Sequence, residues 1–377
     1  MNAVNSEHPY RRIVTKFGTS LLTGGTSRLD PNMMSNLVKQ LAALRQEGLD
    51  LAVVTSGAVA CGRYKLGLPK KYKDIPVKQV LSSVGQSHLM YTYENLFSHY
   101  DIVIAQALLT RAVLVDRAGY LNARNTLLAL LDLGVISIIN ENDVVAIDEI
   151  EGARFGDNDN LSAMVANLID ADLLVILSDI AGLYTADPGV HADARLIPEV
   201  KKIDEDIFAL AGGSRSGLGT GGMYTKLQAA QMANACGITV VICKGSEPDV
   251  IVRLAHGEAI GTRFLPTASK TESRERWMLA GLSVKGRLVI DDGAAAALGK
   301  KHGSLLAAGI KEVEGIFERG DLVNVFDSQN HRLGSGIVNY TSQDIKKIRG
   351  QHSRKIADLL GYDYGSEVIH RNNLVVL

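Results

Sequence analysis

At 377 residues the chain is longer than one ordinary core needs, and about 150 residues per domain points to two or three domains. A composition of 46% hydrophobic and 21% charged residues is that of a globular protein, and the net charge of −1 gives no basis for bulk attraction to nucleic acid or to an anionic membrane. The charge is unevenly divided, with +4 over residues 263–377 and −5 over the rest, which is a mild asymmetry.

The first ten residues, Met1 to Tyr10, are polar and lack the apolar centre of an export signal, and no apolar run approaches the roughly 18 residues of a membrane span. A cytoplasmic protein with no membrane partner is expected. Cys61, Cys236 and Cys243 have neither disulfide-framework nor zinc spacing and lie in apolar surroundings, so they read as core thiols in a reducing compartment.

The first strand is predicted at Ile13–Phe17 and runs directly into Gly18-Thr19-Ser20. It carries Lys16, a cation delivered to the carboxyl end of an apolar strand beside a small backbone able to approach phosphate. Asp30 then caps a helix with Pro31 in its first position, with Leu37, Leu41 and Leu44 at helical spacing and an end at Gly48. A second strand, Leu51–Val54, ends in Thr55-Ser56-Gly57-Ala58. Further strands are predicted at Ile102–Leu108, Val135–Ile139 and Leu173–Leu177, with helical runs at Ser87–Phe97 and Leu121–Leu133. This alternation predicts an α/β fold: an open, mostly parallel sheet covered by helices on both faces.

Open sheets of this class bind ligands beyond the carboxyl ends of their strands. The segments following the predicted strands are polar: Gly18-Thr19-Ser20, Thr55-Ser56-Gly57, Asn140-Glu141-Asn142-Asp143, Ser178-Asp179 and Lys244-Gly245-Ser246. In register they line one rim, the predicted active site. Gly156-Asp157-Asn158-Asp159-Asn160 precedes an apolar helical run from Leu161 to Ile169, so Asp159 or Asn160 is expected to cap that helix. Its free N–H groups suit an anion while the acids suit an ammonium, a metal or a lysine, a mixed site that fits a zwitterionic amino acid.

Residues 212–222 contain six glycines and lead into a helix that carries Lys226 in its first turn. Backbone amides, helix dipole and ammonium can then converge on one phosphate of a polyphosphate ligand. There is no Walker A sequence, and the GxGxxG spacing at Gly217–Gly222 sits far from the first strand without the acid of a dinucleotide site. Two lysines, an amide-rich loop and a carboxylate–amide cluster point to phosphoryl transfer, in which positioning and cationic stabilisation do most of the catalysis. No histidine accompanies these motifs, which favours an ionised carboxylate as acceptor over a hydroxyl that needs a base.

Beyond Phe264 the texture changes. A polar, charged stretch reads as a linker, and short strands at 286–290, 310–317, 322–326 and 336–340, with helices at 294–298 and 342–348, predict a small β-rich barrel.

The collinear set Lys16-Phe17-Gly18-Thr19-Ser20, Thr55–Ala58, Asn140–Asp143, Gly156–Ala163, Gly182–Pro188 and Gly217–Met223 resembles the amino acid kinase family, in particular its glutamate-phosphorylating branch, and the tail resembles a PUA domain. The resemblance implies the amino acid kinase fold plus a small C-terminal β-barrel-like PUA domain, divided as catalytic domain 1–265, linker 266–280 and PUA domain 281–377. It also implies transfer of phosphate from ATP to the γ-carboxylate of L-glutamate, the first step of proline synthesis. Carried onto matching positions, Ser56, Asp143, Asp157 and Asn158 would bind glutamate. Lys16, Ser178, Asp179, Thr220, Gly221, Gly222, Met223, Tyr224, Thr225 and Lys226 would bind ATP. Lys16 and Lys226 would stabilise the transition state, with Asp159 organising them and Mg2+ bridging the nucleotide phosphates with few direct protein ligands. Phe17 and Tyr224 depart from the family pattern, where Leu and Ser are common. The resemblance further implies inhibition by proline, a homo-oligomer (dimer or tetramer) and coupling to a glutamyl phosphate reductase. Another carboxylate kinase of the same fold is the nearest alternative. An RNA-binding role through the tail is a second, and +4 over 115 residues with few aromatics disfavours RNA as a partner.

Overall fold

The computed structural model describes residues 8–26, 28–68, 74–146, 158–211, 222–269, 284–301 and 303–376. The chain forms two compact units, one of Met1–Val115 with Ala123–Lys270 and one of Asp116–Asn122 with Thr271–Leu377.

The elements of the first part of the chain, in order, are β1 (Arg12–Phe17), α1 (Thr19–Thr23), α2 (Pro31–Gln46), β2 (Asp50–Thr55), α3 (Ala58–Leu66), α4 (Ile75–Ser98), β3 (Ile104–Leu109), α5 (Arg111–Val115), α6 (Arg117–Asp132) and β4 (Ile136–Glu141). They continue with α7 (Asn158–Leu168), β5 (Leu173–Ser178), β6 (Glu199–Val200), α8 (Glu205–Leu210), α9 (Met223–Ala235), β7 (Thr239–Lys244), α10 (Val250–Ala255) and β8 (Thr262–Phe264). The strands make one sheet in the order β3-β4-β2-β1-β5-β7-β8-β6, parallel except that β8 runs antiparallel to β7. The expected open, mostly parallel sheet is present. The antiparallel β8 was not expected, because a three-residue strand leaves almost no periodic signal.

Alternation along β1 decides the chemistry of its two faces, since successive side chains of a strand point to opposite sides. Ile13 and Phe17 are fully buried in the core formed with Leu37, Leu41 and Leu44 of α2 and Val250, Ile251 and Leu254 of α10. Each such side chain contributes about 1.5–3 kcal/mol on burial, an upper figure because the unfolded chain is partly compact. Lys16 is only 3% exposed, between Val54 of β2 and Ile176 of β5, and reaches Asp159 on α7, the helix across the other face. Helix α2 starts as the sequence predicts: Asp30 Oδ1 accepts from the N–H groups of Asn32 and Met33 at 2.9 and 3.2 Å, with Pro31 behind it.

Three local expectations need correction. Thr19 and Ser20, which the small hydroxyl-rich sequence after β1 predicts to be a flexible turn, open the short helix α1. Helix α4 begins at Ile75, well before Ser87. Helix α7 begins at Asn158, so Asp159 and Asn160 lie inside its first turn and do not cap it; the Asp159 carboxylate is drawn to two ammonium groups instead of to backbone N–H groups.

The second unit carries β9 (Gly286–Ile290), β10 (Leu305–Leu306), β11 (Ile310–Gly315), β12 (Leu322–Phe326), β13 (Arg332–Ile337), β14 (Glu367–Ile369) and β15 (Leu374–Val376). They form a five-stranded sheet, β11-β9-β12-β13-β15, and a two-stranded one, β10-β14. The unit has its own core, built from Leu288, Val323, Val325, Val338, Tyr340 and Ile345 among others. Helices Asp292–Lys301 and Ser342–Ile348 match the two expected there, the second capped by Thr341. Strand β13 lies at 332–337 rather than 336–340, because its glycines read as turn while the ladder needs them. A Cβ on Gly334 would stand 2.1 Å from the Val375 carbonyl oxygen of β15.

Candidate active site

Strands β4, β2, β1, β5 and β7 are adjacent and parallel, so their carboxyl ends share one edge. Along that rim stand Asn140 after β4's core, Thr55 and Ser56 after β2, Lys16 near the end of β1, Ser178 and Asp179 at β5, and Lys244 at β7. The five predicted segments therefore come together in that order. Lys16 occupies the middle.

Asp159 is fully buried in the first turn of α7. Its Oδ1 lies 2.6 Å from Lys16 Nζ, and its Oδ2 lies 3.1 Å from Lys226 Nζ and accepts a hydrogen bond from Thr225 Oγ1 at 3.0 Å. Lys226 is 6% exposed in the first turn of α9. Thr225 also donates to the Gly222 carbonyl at 2.9 Å, which ties the start of α9 to the same carboxylate. Two ammonium groups meet on one carboxylate at the N-terminal ends of α7 and α9, whose dipoles add positive potential. A site of this kind holds a polyanion.

Next along α7, the Asn158 amide nitrogen lies 2.9 Å from the Thr55 carbonyl, 2.8 Å from Ser56 Oγ and 3.1 Å from Asn140 Oδ1. Its two hydrogens are shared among three acceptors. Asn140 in turn donates to Gln86 Oε1 on α4 at 2.9 Å. Among the described residues Asn158 Oδ1 and both polar atoms of the Asn160 side chain are buried without a hydrogen-bond partner, polar capacity that a bound ligand would satisfy. Asp143 accepts from Ser82 Oγ of α4. Burial raises the Asp143 carboxyl above the usual range, with the Ser82 hydroxyl and the Lys78 charge opposing. At β5, Ser178 Oγ donates to Asp179 Oδ1 at 3.0 Å, and the Ser178 carbonyl accepts from the Gly245 N–H at 2.8 Å.

Sequence reasoning placed Asn140 on the rim but missed Ser82 and Gln86 as members of this cluster. Ser82 and Gln86 are i and i+4 on α4, which begins at Ile75, before the expected helix at Ser87–Phe97, and that spacing was the available signal. It also missed Arg124 on α6, 2% exposed, which donates to the Leu168 carbonyl at the end of α7 and pairs with Asp170 Oδ2 at 2.6 Å. A guanidinium on the last carbonyls of α7 fixes the helix that carries Asn158 and Asp159. Asp157, Thr220 and Gly221 lie outside the described residues, as does most of the glycine-rich stretch.

The family model described as "Amino acid kinase family" matches residues 11–244, and that of the PUA domain matches residues 286–360. Glutamate 5-kinase of Dehalococcoides mccartyi (strain CBDB1) is 57% identical over 372 residues, covering 99% of this chain and 100% of that protein. Those of Photobacterium profundum and Herpetosiphon aurantiacus are 53% and 50% identical, covering 98% and 97% of this chain and 97% and 98% of theirs. The chain belongs to the amino acid kinase family, in its glutamate 5-kinase branch. Of the two departures from the family pattern, Phe17 packs into the opposite core, and Tyr224 is 38% exposed and lies against Phe208 with ring centroids 5.3 Å apart. Burial raises the Cys61 thiol to about 11 and the Cys243 thiol to about 12, values of inert thiols. Among the described residues no helix of this glutamate 5-kinase family member is long and apolar enough to cross a membrane.

Proposed function

We propose that this chain transfers the γ-phosphoryl group of ATP to the γ-carboxylate of L-glutamate in the cytoplasm, giving L-glutamyl 5-phosphate and ADP, the entry to proline synthesis. The observation that carries this reading is the convergence of Lys16 and Lys226 on Asp159 at the middle of the rim. The glutamate side of that centre is Ser56, Asn158 and Asp143, with Asp157. The nucleotide side is Ser178, Asp179 and the segment Thr220–Lys226, with Lys16 between. Boundaries at 1–265, 266–280 and 281–377 belong to the same reading.

A γ-carboxylate oxygen attacks the γ-phosphorus as the bond from that phosphorus to the β–γ bridging oxygen breaks, and ADP leaves with that electron pair. No proton is abstracted, so no general base is required. Negative charge moves from the γ-phosphoryl oxygens toward the bridge, and Lys16 and Lys226 stabilise it from fixed positions. Such preorganised charge is worth about 2.7–4 kcal/mol of barrier for each donor removed. Asp159 keeps the two ammonium groups from repelling each other apart. Asp143, when ionised, faces the substrate ammonium, and the Asn158 amide holds the chain end of β2 in place.

The described carboxylates of the rim are already engaged: Asp159 by both lysines and Thr225, Asp143 by Ser82, and Asp179 by Ser178. Mg2+ therefore fits this site as a partner of the nucleotide's own phosphates, where it would supply neutralising charge. Proline inhibition at the glutamate side, a homo-oligomeric state and hand-over of the labile acyl phosphate to a reductase complete the proposal.

The test is ADP release and hydroxamate formation with ATP, magnesium and hydroxylamine, offering L-glutamate, N-acetyl-L-glutamate, L-aspartate or carbamate. Hydroxamate from glutamate alone, lost in Lys226→Ala, is expected. Hydroxamate from another acid and none from glutamate would overturn the substrate assignment.

A further inference from the structure

At the opposite edge of the sheet, before β1 and β2 begin, three side chains from distant parts of the sequence meet. His8 Nε2 lies 3.3 Å and His256 Nε2 3.0 Å from Glu47 Oε2. The two imidazoles stack with centroids 4.8 Å apart and planes inclined at 28°, both presenting Nε2 to the same carboxylate oxygen. The three ligand atoms all lie within 4.8 Å of one another, and among the described residues no other three His, Cys, Asp or Glu side chains converge in this way.

We propose that His8, Glu47 and His256 form a binding site for a divalent transition-metal ion, with zinc the best match. Two imidazole nitrogens and one carboxylate oxygen are a zinc donor set that leaves a fourth position for water. Bonds of about 2.0–2.1 Å at a tetrahedral centre put donor atoms about 3.3 Å apart, close to the 3.3 and 3.0 Å found here. On binding, each imidazole presents its Nε2 lone pair and carries its proton on Nδ1.

The backbone around the site also favours a cation. Glu47 is the C-cap of the sixteen-residue helix α2, so its carboxylate sits at the negative end of that dipole, where an acid is disfavoured unless a positive partner offsets it. His256 is the C-cap of α10, which packs on α2. His8 comes from the segment leading into β1, and its side chain is 17% exposed against 35% for Glu47 and 45% for His256, so the site is open to water on one side. Strand β1 spans six residues, on the order of 20 Å, which separates this cluster from the catalytic rim. The ion is thus a clasp holding the N-terminal segment to two helices and takes no part in phosphoryl transfer.

The test uses the full chain without a polyhistidine tag, stripped with chelator and titrated with ZnCl2 by calorimetry, and with CoCl2 followed by visible absorption. His256→Ala and Glu47→Gln are compared with the parent. Expected are one zinc per chain, a melting temperature raised by several degrees by zinc, and affinity at least about tenfold weaker in each variant. The stripped variants should melt with the stripped parent and retain its magnesium-dependent kinase activity, which shows that they are folded. Equal zinc affinity in parent and variants, or no saturable zinc binding by the parent, would overturn the site.

Discussion

Asp159 is a fully buried carboxylate whose stability rests on two ammonium groups, and the ammonium groups rest equally on it. Removing one member of a buried ion cluster costs about 3–5 kcal/mol because the remaining charge is left without compensation. Asp159→Asn is therefore expected to lower stability by about that amount in urea denaturation and to reduce kcat by about 10²–10³. An unchanged kcat in folded protein would remove the cluster from the mechanism. Asp143 makes a pH-dependent prediction of opposite character. Its folded-state affinity for a proton is raised by burial, so the fold disfavours its charged form. The destabilisation appears as pH rises through the unfolded value, about 3.9, and is complete above the raised folded value. Asp143→Asn should thus unfold at higher urea than the parent at neutral pH, with the difference shrinking on acidification, while its KM for glutamate rises at neutral pH and the rise shrinks as Asp143 of the parent takes up its proton. Lys16 was legible in the sequence because a lysine in an apolar strand before Gly-Thr-Ser has few structural uses. Its meeting with residues 159 and 226 was expected from the motif set and the family resemblance; the strand order that brings β1, α7 and α9 together supplies the geometry, which the sequence does not spell out.

At the scale of elements, helix α4 shows why part of the site was hidden. Ser82, Ser83, Gly85 and Ser87 are poor helix formers, and the periodic apolar signal starts only beyond them. Packing reverses that preference. Gly62 of α3 and Gly85 of α4 let the helix backbones touch: a Cβ on Gly85 would stand 1.8 Å from the Ala58 carbonyl oxygen, and one on Gly62 would stand 1.8 Å from that of Leu81. The residues that weaken an isolated helix are the ones this crossing requires. Gly85→Ala is expected to destabilise by about 1–3 kcal/mol through overpacking, read as a fall in the urea midpoint. It should also raise the KM for glutamate, because Ser82 and Gln86 ride on the displaced segment. A variant with parental stability and KM would contradict the tight crossing. Strands β1 to β5, by contrast, were readable to within a residue or two, because buried parallel strands are continuous apolar runs.

Across the whole molecule, each unit has its own buried core, and the lysine–aspartate cluster and its neighbours along the rim all belong to the first. The fold class and the two-part organisation were visible in the sequence from the alternation of elements and the change of texture after Phe264. The late strands were not, because β8, β14 and β15 have three residues each and gain their structure from neighbours in the sheet. The parallel order β4-β2-β1-β5-β7 puts Asn140 and Ser56 on one flank of Lys16 and Ser178 and Asp179 on the other, and the central claim of the proposed function is that a phosphoryl group passes to a carboxylate oxygen between them. L-Glutamate carrying ¹⁸O in its γ-carboxylate tests this most directly. With ATP and magnesium, the acyl phosphate formed cyclises as the amino nitrogen attacks the acyl carbon, and the phosphate released keeps the oxygen that bridged carbon and phosphorus. The account predicts phosphate bearing one ¹⁸O, seen as an isotope shift in its phosphorus resonance. Unlabelled phosphate, formed at the same rate, would show that water is the acceptor and would contradict it.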